Sequence, residues 1–135
     1  MIEELFTKPP RRLIILGAGA SADSGLPTYR GPDGLYNTTT CIPTVKDLES
    51  EERRLALFRT SQVIYSAAHT HVPGPTYLTL RAYATGACIV TQNVDGYADE
   101  AFGDVTSRVI EFHGTMKFCK CMDCEKTIPT PHALF

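Results

Sequence analysis

The sequence lacks an excess of basic residues, a long apolar run and an apolar leader. Its 13 lysines and arginines stand against 15 aspartates and glutamates, a formal net charge of −2. A nucleic-acid-binding surface is therefore not indicated, because such surfaces concentrate positive charge. No apolar run approaches membrane-spanning length, and the opening "MIEELFTKPPRR" has no apolar core followed by a cleavage site. These absences predict an intracellular protein, cytoplasmic or nuclear, whose partners are small molecules or peptides rather than nucleic acid or membrane.

The composition predicts one globular domain. The chain has 135 residues, of which 43% are hydrophobic and 21% charged, and this is enough to enclose a core. Its five cysteines are an odd number, and three of them lie in "CKCMDC" at 119–124. In a reducing compartment such clustering favours metal binding over disulfides. Cys41 and Cys88 are interpreted as ordinary buried thiols.

Alternating strand and helix patterns predict an α/β fold. Apolar runs rich in β-branched residues indicate parallel strands near 12–17, 87–92 and 108–112. Helical patterns lie over 20–25, over 47–68 and over "PGPTYLTLRAYA" from Pro73 onward. The segment 25–43 is rich in Gly, Pro and Thr and has no period, so it is predicted to be a long functional loop.

Closely spaced glycines follow the first predicted strand. Gly17, Gly19 and Ala22 match G-x-G-x-x-G/A, a pattern in which glycine lets backbone amides approach a pyrophosphate at a helix N-terminus. A hydride-transfer enzyme is disfavoured, because a Gly/Pro-rich loop follows where a second strand ending in a ribose-binding acid is expected. Taken alone, the pattern leaves two interpretations open, a phosphate-binding loop and a plain turn.

Three segments, in order, resemble the sirtuin family of NAD-dependent protein deacylases. "GAGASADSGLPTYRG" at 17–31 is similar to the family's GAG-x-S-x-x-SG-[IL]-P-x-[FY]-RG loop, "TQNVDG" at 91–96 to its TQN-[IV]-D segment, and "FHGT" at 112–115 to its HG dipeptide. The resemblance covers roughly residues 12–126, the N-terminal half of a sirtuin catalytic core. It implies a truncated, Rossmann-like, doubly wound parallel sheet, with an NAD-binding part at 12–114 and the start of a small zinc-binding module at 115–135.

The resemblance also implies which residues bind NAD. They are Gly17, Ala18 and Gly19 at the diphosphate with Ser21 near it, Tyr29 and Arg30 over the nicotinamide ribose, and Gln92, Asn93 and Asp95 at the ribose and the nicotinamide amide. Gly25 and Pro27 are expected to shape the loop. The residues alone leave other interpretations open: Asn93 and Asp95 as helix caps, Arg30 as a surface charge and Tyr29 as a core aromatic.

His113 is the expected catalytic residue. A neutral imidazole can accept a proton at physiological pH, and the end of the third strand lies at the mouth of the sheet. By the resemblance, the acyl oxygen of a modified lysine displaces nicotinamide from the ribose of NAD, and the histidine then helps to deprotonate a ribose hydroxyl. The implied activity is deacetylation of acylated lysine in a protein or peptide, with the acyl group passing to ADP-ribose. His69, His71 and His132 are interpreted as surface residues.

Cys121 and Cys124 form a C-x-x-C pair where the first half of the family's zinc site would lie. A closed structural zinc site needs four ligands, and the family draws the other two from a second C-x-x-C that this sequence does not contain. Cys119 and His132 are the remaining candidates within the chain. The expected zinc site is therefore supported by only two of the four ligands that it needs.

The sequence also departs from the family pattern. Tyr77 stands where many sirtuins have a histidine, and positions 46–72 hold no Tyr-x-x-Arg pair of the kind found in deacylases for acidic acyl groups, so acetyl is the expected acyl group. Two further functions stay open: an NAD-consuming hydrolase and a non-catalytic NAD- or protein-binding chain. With only part of the catalytic core, the chain is expected to bind NAD weakly and to turn over little. The sequence does not indicate its oligomeric state.

Overall fold

A three-stranded parallel sheet forms the centre of the protein. The computed structural model describes residues 12–32, 34–37, 50–106, 108–121 and 123–131. Strands β1, β2 and β3 lie in that order and span Arg12–Leu16, Ala87–Thr91 and Arg108–Glu111. The register pairs Leu16 with Thr91 and Thr91 with Glu111, so all three carboxyl ends lie at one edge. The predicted α/β fold with parallel strands is confirmed.

The chain leaves β1 through a 3-10 helix, Ala18–Ser24, where the sequence predicted a helix over 20–25. Gly25 ends this helix with a φ of 87°, and a Cβ added there would lie 2.9 Å from the His71 ring. Glycine is therefore needed at 25 both for its backbone conformation and for space. The predicted loop continues through a second 3-10 helix, Leu35–Asn37, while residues 38–49, with Cys41, lie outside the described residues.

Three α-helices follow: α1 spans Glu51–Thr70, α2 Pro75–Ala84 and α3 Tyr97–Phe102. Helix α2 begins with a proline, which suits the first turn because that turn needs no amide donor. The Asp23 carboxylate accepts hydrogen bonds from the Thr76 amide at 2.8 Å and the Thr76 hydroxyl at 2.7 Å. The first 3-10 helix is thereby fixed against the start of α2.

Helices α2 and α3 cover one face of the sheet. The core on that face joins strand residues to two helices and consists of Leu16, Leu26, Tyr77, Ala84, Ala87, Ile89, Tyr97, Ala98, Ala101 and Phe102. On β1 the alternate side chains Leu13 and Ile15 are 56% and 64% exposed, in agreement with the two-residue period of a strand. Cys88 is buried, as interpreted from the sequence.

A short antiparallel hairpin follows the sheet. Strands β4 and β5 span Phe118–Lys120 and Thr127–Pro129 and pair Cys119 with Ile128. The sequence analysis did not predict β5, because Thr-Ile-Pro is too short to show a period. His132 lies outside the described residues, and His69 and His71 are exposed, as interpreted. Within the described ranges, no helix has the length and apolar character needed to span a bilayer.

Candidate NAD site

A cavity of about 610 Å³ opens at the carboxyl ends of the strands. Its walls come from the loop after β1, one face of α1 and the segments after β2 and β3: Ala18, Tyr29, Tyr36, Leu57, Thr60, Ser61, Ile64, Gln92, Asn93, Val94, His113, Thr115 and Met116. None of these side chains is a lysine, arginine, aspartate or glutamate. Open parallel sheets bind ligands at this end, so the position favours a ligand site.

The two glycines after β1 border open space. Gly17 has an extended backbone, with φ −126° and ψ −175°, and neither Gly17 nor Gly19 has a positive φ. A Cβ added to either residue would meet no atom within 4 Å. Because neither backbone conformation nor internal packing requires glycine here, close approach of a ligand is the remaining physical reason for it. This favours the phosphate-binding interpretation over a plain turn.

A buried hydrogen-bonded cluster stands behind the cavity wall. Ser21 Oγ lies 2.6 Å from Asp95 Oδ2 and 2.8 Å from the Tyr77 hydroxyl. A carboxylate only accepts hydrogen bonds, so the Ser21 hydroxyl donates to Asp95 and must accept from Tyr77. The single Ser21 hydroxyl proton is thus donated to Asp95. Ser21 is expected near the diphosphate, but in this arrangement its hydroxyl has no proton left to donate to it.

Asn93 connects this cluster to the glycine loop. Its Nδ2 donates to the Gly17 carbonyl at 3.0 Å, to Ser21 Oγ at 3.1 Å and to the Tyr77 hydroxyl at 3.3 Å. The Asn93 side-chain NH₂ group therefore donates only to groups of the protein. No group among the described residues hydrogen-bonds Asn93 Oδ1. Since Asn93 lines the cavity, its carbonyl oxygen is the atom that can accept a hydrogen bond from a ligand.

Asp95 serves two structural purposes at once. Its Oδ1 accepts a hydrogen bond from the Tyr97 amide at 3.0 Å at the start of α3, while its Oδ2 accepts from Ser21. The helix-cap interpretation therefore describes Asp95 correctly, without excluding a second role. Asp95 does not line the large cavity, but it lines a recess of about 20 Å³ beside it, together with Ser21 and Tyr29.

The tyrosines around the site are held neutral. Burial raises the pKa of Tyr77 above 10.0, and burial followed by the charge of Asp95 raises the pKa of Tyr97 to about 12. Burial also raises the pKa of Tyr29, with smaller contributions from Tyr36 and Asp95. The rings of Tyr29 and Tyr36 lie 5.4 Å apart at the cavity wall. The phenols of Tyr29, Tyr77 and Tyr97 therefore keep their protons at physiological pH.

His113 lies in the exposed turn after β3 and lines the cavity. Its ring meets the ring of Phe112 edge to face, with centroids 5.1 Å apart. Gly114 follows with a φ of 84°, which lets the chain reverse toward Thr115. The structure therefore brings Ala18, Gln92, Asn93 and His113 to one cavity. Arg30 is exposed and lines neither that cavity nor the recess.

Several cavity residues were missed by the sequence analysis. Leu57, Thr60, Ser61 and Ile64 share one face of α1, and their i, i+3, i+4, i+7 spacing was a detectable signal. Glu111, at the end of β3, lines neither the cavity nor the recess, and its Oε1 is buried with no hydrogen-bond partner among the described residues. Burial raises its pKa, while Thr115 and Lys117 lower it.

The Cys121 and Cys124 thiols lie exposed between β4 and β5. Hydrogen bonds from the backbone of Cys124 and Asp123, and from the Cys124 side chain, lower the pKa of Cys121. Cys119 does not join them, because its thiol donates to Thr130 Oγ1 at 3.5 Å. In the part of the chain that the structure describes, no group of three or more His, Cys, Asp or Glu side chains is arranged to hold a metal.

Together, the parallel sheet, the open glycine loop and the cavity at the strand ends define a Rossmann-like α/β nucleotide-site architecture. Sequence comparison gives the family: the Sir2 family profile matches residues 17–134, and the chain belongs to that family.

Individual relatives agree with this assignment. The chain is 30% identical over 132 residues to an NAD-dependent protein deacetylase of Listeria monocytogenes serovar 1/2a, covering 94% of this chain and 55% of the relative. It is 36% identical over 127 residues to NAD-dependent protein deacylase 2 of Pseudomonas syringae pv. tomato, covering 88% of this chain and 51% of the relative. The chain therefore spans about half the length of these curated relatives.

Solved structures show the same partial coverage. A structure of a Sir2 homologue in complex with NAD has a TM-score of 0.59 and 26% identity, covering 94% of this chain and 51% of that one. A structure from work on the mechanism and regulation of Sir2 enzymes has a TM-score of 0.66 and 28% identity, covering 95% of this chain and 50% of that one. Both share the fold of this chain over half of their own length.

Proposed function

We propose that this chain binds NAD and contributes the NAD-binding half of an NAD-dependent protein-lysine deacetylase. The observation that carries the proposal is that Ala18, Asn93 and His113, which follow three neighbouring strands, line one cavity, while Asn93 also hydrogen-bonds the Gly17 carbonyl of the glycine loop. The names of the curated relatives support NAD-dependent deacylation as the reaction.

The residues of the cavity fit a dinucleotide. Gly17 and Gly19 leave their backbone open on the side where a Cβ would stand, which suits a diphosphate. The free Asn93 carbonyl oxygen accepts from a hydroxyl or a carboxamide, and Gln92 offers both a donor and an acceptor at the same wall. The Tyr29 and Tyr36 rings, tilted by 33° to each other, supply an aromatic surface beside it.

Each residue then has a role in the proposed reaction. NAD, when bound, supplies a ribose that can exchange its nicotinamide for the acyl oxygen of a modified lysine. Asn93 orients the bound ribose, and the Ser21, Tyr77 and Asp95 cluster fixes the Asn93 side chain. His113 accepts a proton at its exposed imidazole. The uncharged wall formed by Leu57, Ile64 and their neighbours on α1 suits a neutral acyl group, in line with acetyl.

The proposed substrate is therefore an acetylated lysine in a protein or peptide. For zinc, the proposal is that Cys121 and Cys124 supply two thiolate ligands. A closed structural zinc site has four ligands. The lowered pKa of Cys121 favours the thiolate that a metal needs. Zinc-dependent absorbance or thiol protection measured on wild type and Cys121→Ser tests this contribution directly.

A binding experiment tests the NAD site without requiring turnover. NAD is titrated into the wild type and into Gly17→Ala, followed by calorimetry or by amide chemical shifts. Because a Cβ at 17 meets no protein atom, the variant should unfold at nearly the wild-type urea concentration yet bind NAD at least tenfold more weakly. Equal NAD affinity in the two proteins, or no binding by wild type, would contradict the proposed site.

A second experiment tests the reaction. The chain is incubated with NAD, zinc and an acetyl-lysine peptide, and nicotinamide release is followed. Little release is expected from this partial core alone; in any form that shows peptide-dependent release, His113→Ala should lower it about 10²–10⁴-fold while NAD affinity changes little, since the residue moves a proton and does not hold the diphosphate. ADP-ribose formed without peptide would select an NAD hydrolase instead. Unchanged release by the variant would remove His113 from the reaction.

A further inference from the structure

Thr130 does not line the cavity, and no sequence pattern marked it, but it hydrogen-bonds to two elements that form the cavity walls. Its hydroxyl donates to the Met116 carbonyl at 2.7 Å, and its amide donates to the Lys117 carbonyl at 2.8 Å. Its own carbonyl accepts a longer hydrogen bond, 3.5 Å, from the Tyr65 hydroxyl of α1. The residue thus connects the end of β5 to the segment after His113 and to a cavity-lining helix.

Met116 extends this connection to the other side of the cavity. Its amide donates to the Val94 carbonyl at 2.9 Å, while its carbonyl is the acceptor for Thr130. Met116 and Val94 both line the cavity, and Val94 stands between the two polar residues of the site, Asn93 and Asp95. A continuous path of hydrogen bonds therefore runs from α1 through Thr130 and Met116 to the segment after β2.

The Thr130 hydroxyl is fully used within this path. The Cys119 thiol donates to Thr130 Oγ1, and the same oxygen donates to Met116, so its one proton has a defined direction. Thr130 is only partly exposed, whereas every other described residue from Cys121 to Pro129 is exposed. The turn and β5 are thus exposed, and the chain is held to the domain by Thr130, the residue after β5.

We propose that Thr130 is a positioning residue that holds the Thr115–Met116 wall of the cavity against α1, so that the β4–β5 hairpin is part of the nucleotide site and not a separate module. The coupling itself does not depend on any ligand. Its consequence for NAD affinity rests on the proposed function.

Amide hydrogen exchange on the full chain tests the coupling without NAD. Three variants are compared with wild type: Thr130→Val, which keeps the shape and removes the hydroxyl; Thr130→Ser, which keeps the hydroxyl; and Thr127→Val, the same change at an exposed position of β5. Thr130→Val should speed exchange at the Met116 and Thr130 amides about tenfold. Exchange in β1 and β2 should be unchanged, Thr130→Ser should behave as wild type, and so should Thr127→Val.

Two results would overturn the proposal. One is exchange at Met116 that is the same in Thr130→Val and Thr127→Val. The other is acceleration of equal size throughout β1 and β2, which would assign Thr130 to overall stability. If wild type binds NAD, Thr130→Val should also bind it several-fold more weakly. Normal exchange effects with no NAD binding by wild type would leave the coupling intact and contradict only the proposed function.

Discussion

Replacing Asp95 with asparagine is expected to destabilise the fold although the two side chains have nearly the same size. Asp95 accepts at both oxygens, from Ser21 at 2.6 Å and from the Tyr97 amide at 3.0 Å. An asparagine has one acceptor and one donor. If its oxygen faces Tyr97, its NH₂ faces a Ser21 hydroxyl that already accepts from Tyr77; if its oxygen faces Ser21, its NH₂ opposes the Tyr97 amide.

Either orientation leaves one donor without an acceptor in a mostly buried cluster. Such a group costs about 1–3 kcal/mol, and the Ser21 bond also loses its ionised partner. We therefore expect Asp95→Asn to lower the free energy of unfolding by about 2–3 kcal/mol. The measurement is urea denaturation followed by circular dichroism, with the slope compared between variants so that a change in midpoint can be read as a change in stability.

Asp99→Asn is the matched control. Asp99 lies on α3, the helix that follows Asp95, and pairs with Lys117 at 2.7 Å, but its side chain is 57% exposed, so its loss should cost at most about 1 kcal/mol. The double variant Ser21→Ala/Asp95→Asn should be less destabilised than the two single changes added together, because the opposing Ser21 proton is gone. An Asp95→Asn midpoint no lower than that of Asp99→Asn would refute the deduced proton directions.

Two further predictions concern stability. Burial and nearby Asp95 raise the pKa of Tyr97 to about 12, so the native state keeps this proton where the unfolded chain loses it. The free energy of unfolding should therefore fall as pH rises from 10 toward 12, by about 1.4 kcal/mol per pH unit at most. Urea denaturation at pH 8, 10 and 11 should show a smaller fall for Tyr97→Phe than for wild type. An equal fall with pH in the two proteins would contradict this. Gly25→Ala should lower the melting temperature more than Gly86→Ala: both have a positive φ, but only the Cβ at 25 meets another side chain, His71. Equal losses would show that the ring moves aside without cost.

The strands and the glycine loop were predictable because their signals are local. "RLIIL" and "ACIVT" are continuous apolar runs of the kind that parallel strands need, since both faces are usually covered. The proline-led stretch from Pro73 also gave the start of α2 to within two residues, since the helix begins at Pro75 and the fixed φ of proline suits the first turn. The approach of Gly17 to Asn93 could also be predicted from the sequence, because the carboxyl ends of parallel strands lie at one edge of the sheet.

The hydrogen bonds of the buried cluster, and their donors and acceptors, could not be predicted from the sequence. The motif predicts that Ser21 lies near the diphosphate, but it gives no sign that the hydroxyl bonds Asp95 and Tyr77, which lie far from it along the chain. Tyr77 was noted only as a departure from the family pattern. Its phenol in fact completes the cluster, because it donates to Ser21 and accepts from Asn93.

The hairpin shows a second limit of sequence analysis. A three-residue strand such as Thr127–Pro129 has no detectable period. The cysteine pattern marks the turn between β4 and β5, whereas no pattern marks Thr130 after β5. The cysteine pair lies between β4 and β5, which pair antiparallel. Zinc stays a prediction, since spacing shows two candidate ligands and says nothing of the others.

The parallel register of the sheet also has a consequence for the order of assembly. β2 meets β3 across a short connection, pairing Cys88 with Arg108, whereas β1 meets β2 across most of the described chain, pairing Arg12 with Ala87. Distant pairings cost more loop-closure entropy and slow folding. We therefore expect β2, α3 and β3 to assemble before β1 arrives. The bond between Asn93 and Gly17 would then form in the last step, so that the chain acquires its glycine loop opposite Asn93 only on becoming fully native.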